Sequence, residues 1–125
     1  MAKNKIKLTK KQVDLLNRRS VVVLATSNLQ GKPRAILVEI NQVEGDRIII
    51  TDNEMVTTQK NLLENKQVAL LAFEKDYSYC LKILGKAEYF TKGKYFDFVK
   101  NLGANKDFSP KGALVISINE VIEFK

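Results

Sequence analysis

The chain predicts a mainly β protein, a small six-stranded antiparallel barrel with three short helices at its connections. Three observations carry this. Apolar and β-branched runs recur at short intervals, several of them joined by tight turns. Only three stretches have a helical period, and they do not alternate with the strands as a doubly wound sheet requires. With 125 residues, 45% of them apolar, the chain fits one domain spanning 1–125 around one core.

The elements follow in order. Thr9-Lys10-Lys11-Gln12 fits a capping box, and Val13, Leu15 and Leu16 give an apolar side to a helix of about ten residues ending near Arg19. Ser20 to Ser27 is a continuous β-branched run, the pattern of a strand buried on both faces. Asn28 to Lys32 turns the chain with Gly31, and Pro33 sits at the entrance of a second strand, Arg34 to Val43. Glu44-Gly45-Asp46 reads as a hairpin turn, making Arg47 to Thr51 the antiparallel neighbour of that strand. Met55, Gln59, Leu62 and Leu63 mark a short helix with one buried side. Gln67 to Glu74 is the fourth strand. In the fifth, Ser78 to Phe90, alternation turns Tyr79, Leu81 and Ile83 inward, and Gly85 permits a bulge or bend. Lys94 to Leu102 is a helix with Tyr95, Phe98, Val99 and Leu102 on one stripe, terminated by Gly103. Ala113 to Ile118 closes the core, and Val121, Ile122 and Phe124 extend apolar surface.

Composition excludes several chemistries. One cysteine and no histidine remove zinc sites and Ser-His-Asp hydrolysis. There is no G-x-G-x-x-G after a strand and no phosphate-loop motif, which excludes a Rossmann domain. No run reaches the roughly 18 apolar residues of a membrane span, and the lysine-rich start lacks a signal peptide's apolar run, so the expected location is cytoplasmic. The net charge of +7 is local: Lys3, Lys5, Lys7, Lys10, Lys11, Arg18 and Arg19 against Asp14 place +6 in the first 19 residues. Residues 1–7 form a basic arm able to touch nucleic-acid backbones. A solvated chain end accounts for it as well, and no basic and aromatic residues interleave for stacking on single strands, so nucleic acid is the least favoured partner.

The most informative stretch is Thr51 to Leu62, T-D-N-E-M-V-T-T-Q-K-N-L, where a strand enters Asp-Asn turn chemistry and a helix opens on two hydroxyls. The free N–H groups of a first helical turn form an anion site beside Thr57 and Thr58. The simpler alternative is that Thr57 is only the helix N-cap.

Four segments, L-A-T-S-N-L-Q-G-K-P-R, I-I-I-T-D, K-N-L-L-E-N-K-Q-V-A-L-L and I-L-G-K-A-E-Y, in this order and spacing, resemble the pyridoxamine 5′-phosphate oxidase-like family of flavin-binding split barrels. The likeness runs from about Leu8 to the C-terminus and is nearest to the small stand-alone flavin-nucleotide-binding proteins. It implies a six-stranded split barrel, a homodimer and FMN at the subunit interface. Carried onto this chain, it assigns the FMN phosphate and ribityl contacts to Arg34, Thr51, Asp52, Thr57 and Thr58. Many relatives carry a Lys or Arg beside the helix threonine; that spot holds Thr57 here, leaving Lys60 or Arg34 to supply the charge. Cys80 falls where the oxidase has a polar side chain near the flavin ring, and its other reading is a small buried hydrophobe. The chain also stops at Lys125 without the arginine-containing segment that pyridoxamine oxidases use on substrate, so vitamin B6 synthesis is not expected. No side chain is assigned as catalytic and no metal is expected. The bound flavin would carry hydride or electrons, with Lys82 or Arg34 as a positive group near its pyrimidine edge and a small donor or acceptor such as a reduced nicotinamide as partner. A flavin carrier or empty split-barrel binding module without turnover is the alternative.

Overall fold

A computed structural model describes residues 6–18 and 21–124. Most of the basic arm, together with Arg19 and Ser20, lies outside the described residues. Helix α1 (Lys10–Leu16) is followed by strands β1 (Val21–Ser27), β2 (Pro33–Glu39), β3 (Gln42–Glu44) and β4 (Arg47–Asp52). Then come helix α2 (Thr57–Glu64), strands β5 (Gln67–Phe73) and β6 (Cys80–Phe90), helix α3 (Lys94–Lys100), a 3₁₀ turn (Gly103–Asn105) and strand β7 (Gly112–Phe124). The strands form one antiparallel sheet in the order β2-β1-β5-β6-β7-β4-β3. It curls around a main core filled from β1, β4, β5, β6 and β7 and plugged by Leu15 and Leu16 of α1 and Leu62 of α2. β2 and β3 are the free edges, and among the described residues no ladder joins them; the barrel is split there.

The capping box forms as expected: Thr9 Oγ1 accepts from the Gln12 N–H at 3.2 Å, and Gln12 Oε1 accepts from the Thr9 N–H at 2.9 Å. The long fifth strand also holds its alternation, with Tyr79, Leu81, Ile83 and Ala87 buried. Gly85 marks a register shift, where Leu84 faces Glu120 and Gly85 faces Ile118. A Cβ at Gly85 would lie 2.4 Å from the Ser117 carbonyl oxygen, so only glycine permits the close approach of β6 and β7.

Several expectations change. The strand read as Arg34 to Val43 is two, giving seven strands rather than six: at Ile40-Asn41 the chain leaves its pairing with β1 and crosses to β4, where the Asn41 N–H donates to the Ile49 carbonyl at 2.9 Å. The hairpin at Gly45-Asp46, with Gly45 at φ 62°, therefore joins only the short β3 to β4, while β2 lies at the opposite edge. Both-face burial belongs to β4, not β1. Ile48 and Ile50 enter the main core and Ile49 a second apolar cluster, with Val99, Ala113 and Val115 and flanked by Tyr95 and Phe98, because α3 covers that side. β1 alternates, with Val22, Leu24 and Thr26 buried. Finally, α2 buries Thr58, Asn61 and Leu62, whereas Leu63 is 66% exposed and Met55 precedes the helix. Gly103 opens the 3₁₀ turn rather than capping α3.

Candidate functional site

Where β2 curls back toward β4, the split in the barrel opens into a cleft of about 570 Å³, a size typical of small-molecule sites. One wall is β2, through Arg34, Ile36 and Val38 of its inward face and Leu37 and Glu39 of its other face. The facing wall is the end of β4 and the loop into α2, with Thr51, Asn53, Glu54, Met55, Val56 and Thr58; Asn41, Ala104, Asn105 and Phe108 complete the lining.

The polar floor is an amide and hydroxyl chain. Thr51 Oγ1 donates to Asn41 Oδ1 at 2.6 Å and accepts from Asn105 Nδ2 at 2.9 Å. Asn105 Nδ2 also donates to the Val99 carbonyl at 2.8 Å, which fixes the 3₁₀ turn against the floor. Asn53 Nδ2 reaches Asn105 Oδ1 only at 3.5 Å, and Asn53 Oδ1 is buried with no partner among the described residues. A buried acceptor without a partner costs stability.

The sequence-assigned residues separate into two groups. Arg34, Thr51 and Thr58 line the cleft together, brought from β2, β4 and α2. Thr51 has spent its hydroxyl proton on Asn41, so it can only accept from a ligand. Asp52, Thr57, Lys60 and Cys80 do not line it. Asp52 is fully buried behind the wall, its carboxylate accepting from the Met55 N–H at 2.7 Å and from the Tyr89 hydroxyl at 2.5 Å. Burial first, and then that carboxylate, raise the Tyr89 phenol well above its ordinary pKa. Thr57 is an exposed first-turn residue; the N-cap of α2 is Val56, which offers no side-chain cap. Lys60 is exposed one turn further on. Cys80 and Lys82 belong to the sheet's other face, where Cys80 is flanked by Phe73 and Phe124 and the Lys82 ammonium lies 5.6 Å from the Phe124 ring. Asn41, Asn53, Asn105 and Phe108 were not singled out from sequence; an asparagine's role depends on partners distant along the chain, and no local pattern marks it.

A ligand with an anionic group and a ring, of the flavin-nucleotide kind, is compatible with this lining where its charge meets Arg34, since the lining also carries the carboxylates Glu39 and Glu54. Arg34 provides a permanent charge, the uncapped head of α2 provides N–H donors beside Thr58, and Ile36, Val38, Met55 and Phe108 provide apolar surface for a ring. Among the described residues no three His, Cys, Asp or Glu side chains cluster as metal ligands, and no helix is long and apolar enough to cross a membrane.

Residues 8–125 match the family model described as pyridoxamine 5′-phosphate oxidase. An uncharacterized protein of Methanocaldococcus jannaschii is 35% identical over 96% of this chain and 83% of its own length. Among solved structures, HupZ of Group A Streptococcus superposes with a TM-score of 0.85 at 19% identity, covering 94% of each chain. An FMN-binding protein from Syntrophomonas wolfei gives a TM-score of 0.77 at 19% identity, covering 90% of this chain and 83% of that one. At these identities the structures establish the shared split-barrel fold.

Proposed function

The chain belongs to the pyridoxamine 5′-phosphate oxidase family, and on that premise we propose that it is a flavin-binding protein that holds FMN in the β2–α2 cleft and works as a small oxidoreductase or electron carrier. The observation that carries the reading is the convergence of Arg34, from β2, and Thr58, from the head of α2, on one cleft of suitable size. Arg34 and the first-turn N–H groups would bind the phosphate, with Thr58 beside them. Asn53 and Asn41 would meet polar groups of the ligand, and Ile36, Val38 and Met55 would flank its ring. When bound, FMN supplies hydride or single-electron chemistry, and these side chains orient it. No residue is assigned a catalytic role.

The same reading includes a homodimer. Leu37 is 71% exposed, Val56 62% and Phe108 53%, all three on the cleft lining. Large apolar side chains left in solvent around a ligand cleft favour a second copy covering it.

The test is flavin titration of the purified protein. FMN should bind much more tightly than riboflavin, and Thr58→Val should weaken FMN about tenfold while leaving the fold intact, since a hydrogen bond to a charged oxygen contributes about 1.5–3 kcal/mol. Bleaching of the bound flavin by a reduced nicotinamide would support oxidoreductase chemistry. Equal affinities for FMN and riboflavin would move the phosphate elsewhere, and failure to bind either would remove the reading.

A further inference from the structure

The loop that forms the cleft's second wall, residues 53–56, takes its main polar anchors from outside the cleft. Its own resources are slight. α2 is an eight-residue helix whose N-cap, Val56, makes no side-chain cap bond, and a helix that short is marginal without external support. Met55 packs against the main core, but Glu54 and Val56 on either side of it are exposed, so packing fixes one residue of the loop and leaves its neighbours to hydrogen bonds.

Leu62 and Asn61 anchor the middle of α2 to the core and to Thr26, and two residues that do not line the cleft hold its head and the loop before it. Lys111, just before β7, ties both ends of the turn. Its main-chain N–H donates to the Asp52 carbonyl at 2.7 Å, and its ammonium donates to the Met55 carbonyl while standing 3.9 Å from the Asp52 carboxylate. Tyr89, near the end of β6, donates its hydroxyl to the other carboxylate oxygen of Asp52, and Gln59 of α2 donates to that hydroxyl at 3.3 Å. Asp52 passes the constraint on by accepting the Met55 N–H. Tyr89 reaches this place because residue 112 is glycine: a Cβ there would lie 2.4 Å from the Tyr89 ring. The end of β6 and the loop into α2 thus meet on one buried carboxylate, with the Lys111 ammonium beside it and Gln59 of α2 joined to it through the Tyr89 hydroxyl.

We propose that Lys111 and Tyr89 are positioning residues that clamp the 53–56 loop and the head of α2 in the geometry that receives the ligand's phosphate. The clamp stands in for the cap that Val56 cannot provide, and it assigns Asp52 to the support of the wall. The inference rests on the flavin reading above. It differs from that reading in placing control of phosphate affinity on residues that never touch the ligand.

Four proteins test it: the unaltered chain, Lys111→Met, Lys111→Arg and Tyr89→Phe, each titrated with FMN and with riboflavin and each melted without ligand. Lys111→Met keeps the main-chain bond to Asp52, and Tyr89→Phe keeps the ring on Gly112, so both should fold. The expected result is that Lys111→Met and Tyr89→Phe weaken FMN by about tenfold while riboflavin changes by less than about twofold, and that Lys111→Arg restores most of the FMN affinity. A general stabilising role would instead lower the melting temperature and weaken both ligands alike, and that outcome overturns the proposal. Unchanged FMN binding in both variants overturns it as well. If the unaltered chain binds neither ligand, the flavin reading itself fails and the clamp's function falls with it; that result is distinguishable because it appears before any substitution.

Discussion

Arg34 is an exposed edge-strand residue whose β1 neighbour, Thr26, is buried and accepts from Asn61 of α2 at 3.1 Å. That pairing places the guanidinium on the cleft wall shared with Thr58, whereas Lys60, two residues further along α2, is exposed and off the lining. Arg34→Gln should therefore reduce FMN affinity by about tenfold or more and flatten its salt dependence, while Lys60→Gln should do neither, as fluorescence titration at low and high salt would read. The reverse pattern would transfer the phosphate charge to Lys60. Tyr79 gives a second residue-scale expectation. Burial, and then its 2.6 Å hydrogen bond to Glu123, push its phenol up to about 12. In the unfolded chain the same group ionises near 10. Its contribution is thus complete below about pH 10 and is lost as pH climbs toward 12, where only the unfolded chain releases the proton. Denaturant midpoints measured from about pH 8 to about pH 12 should fall across that window, and fall less in Tyr79→Phe.

At the scale of elements, legibility follows how local the determinants are. The cap of α1 was readable because Thr9 and Gln12 are three residues apart, and the inward face of β6 because alternation is a property of one strand. The break at Ile40-Asn41 was not, since it depends on which sheet edge each half reaches, and both halves have strand composition. The cleft was readable in part for the same reason. Arg34, Thr51 and Thr58 stand in recognisable segments, but the Asn105 bond to Thr51 spans 54 positions, and the Lys111 bond to Met55 spans 56. Gly85 is a case where a sequence signal had a sterically definite meaning. Gly85→Ala would drive a Cβ against backbone at 2.4 Å rather than against a pliable side chain, whereas Gly103 has nothing within 4 Å. Gly85→Ala should therefore cost about 1–3 kcal/mol by chemical denaturation, and Gly103→Ala should stay within about 0.5 kcal/mol. Equal effects would mean that β6 and β7 can separate at the bulge without loss.

For the whole molecule, the sheet's outer face is the surface on which the proposed dimer would form. Register places Leu37, Val23, Leu71, Lys82 and Ile122 on one continuous rung across β2, β1, β5, β6 and β7, beside a second of Ala35, Ala25, Ala69, Leu84 and Glu120. Phe73, Cys80 and Phe124 continue the apolar surface. Leu37 is 71% exposed, Phe124 48%, Val21 45% and Leu71 36%. Of the residues the sequence assigns to apolar surface, Ile122 and Phe124 lie on this face and Val121 turns to the core; the patch extends further, through β5 and β1 to Leu37. Because Leu37 also lines the cleft, a second copy laid on this face would cover the cleft mouth at the same time. The dimer reading therefore couples two measurements. Leu71→Glu, in the middle of the rung and outside the cleft, should yield a folded monomer by light scattering at micromolar concentration and should weaken FMN, although Leu71 lines no part of the cleft. A monomer that retains full FMN affinity would leave the dimer standing but make each cleft self-sufficient. An unaltered chain that is already monomeric, with and without FMN, would remove both the interface and its part in the site.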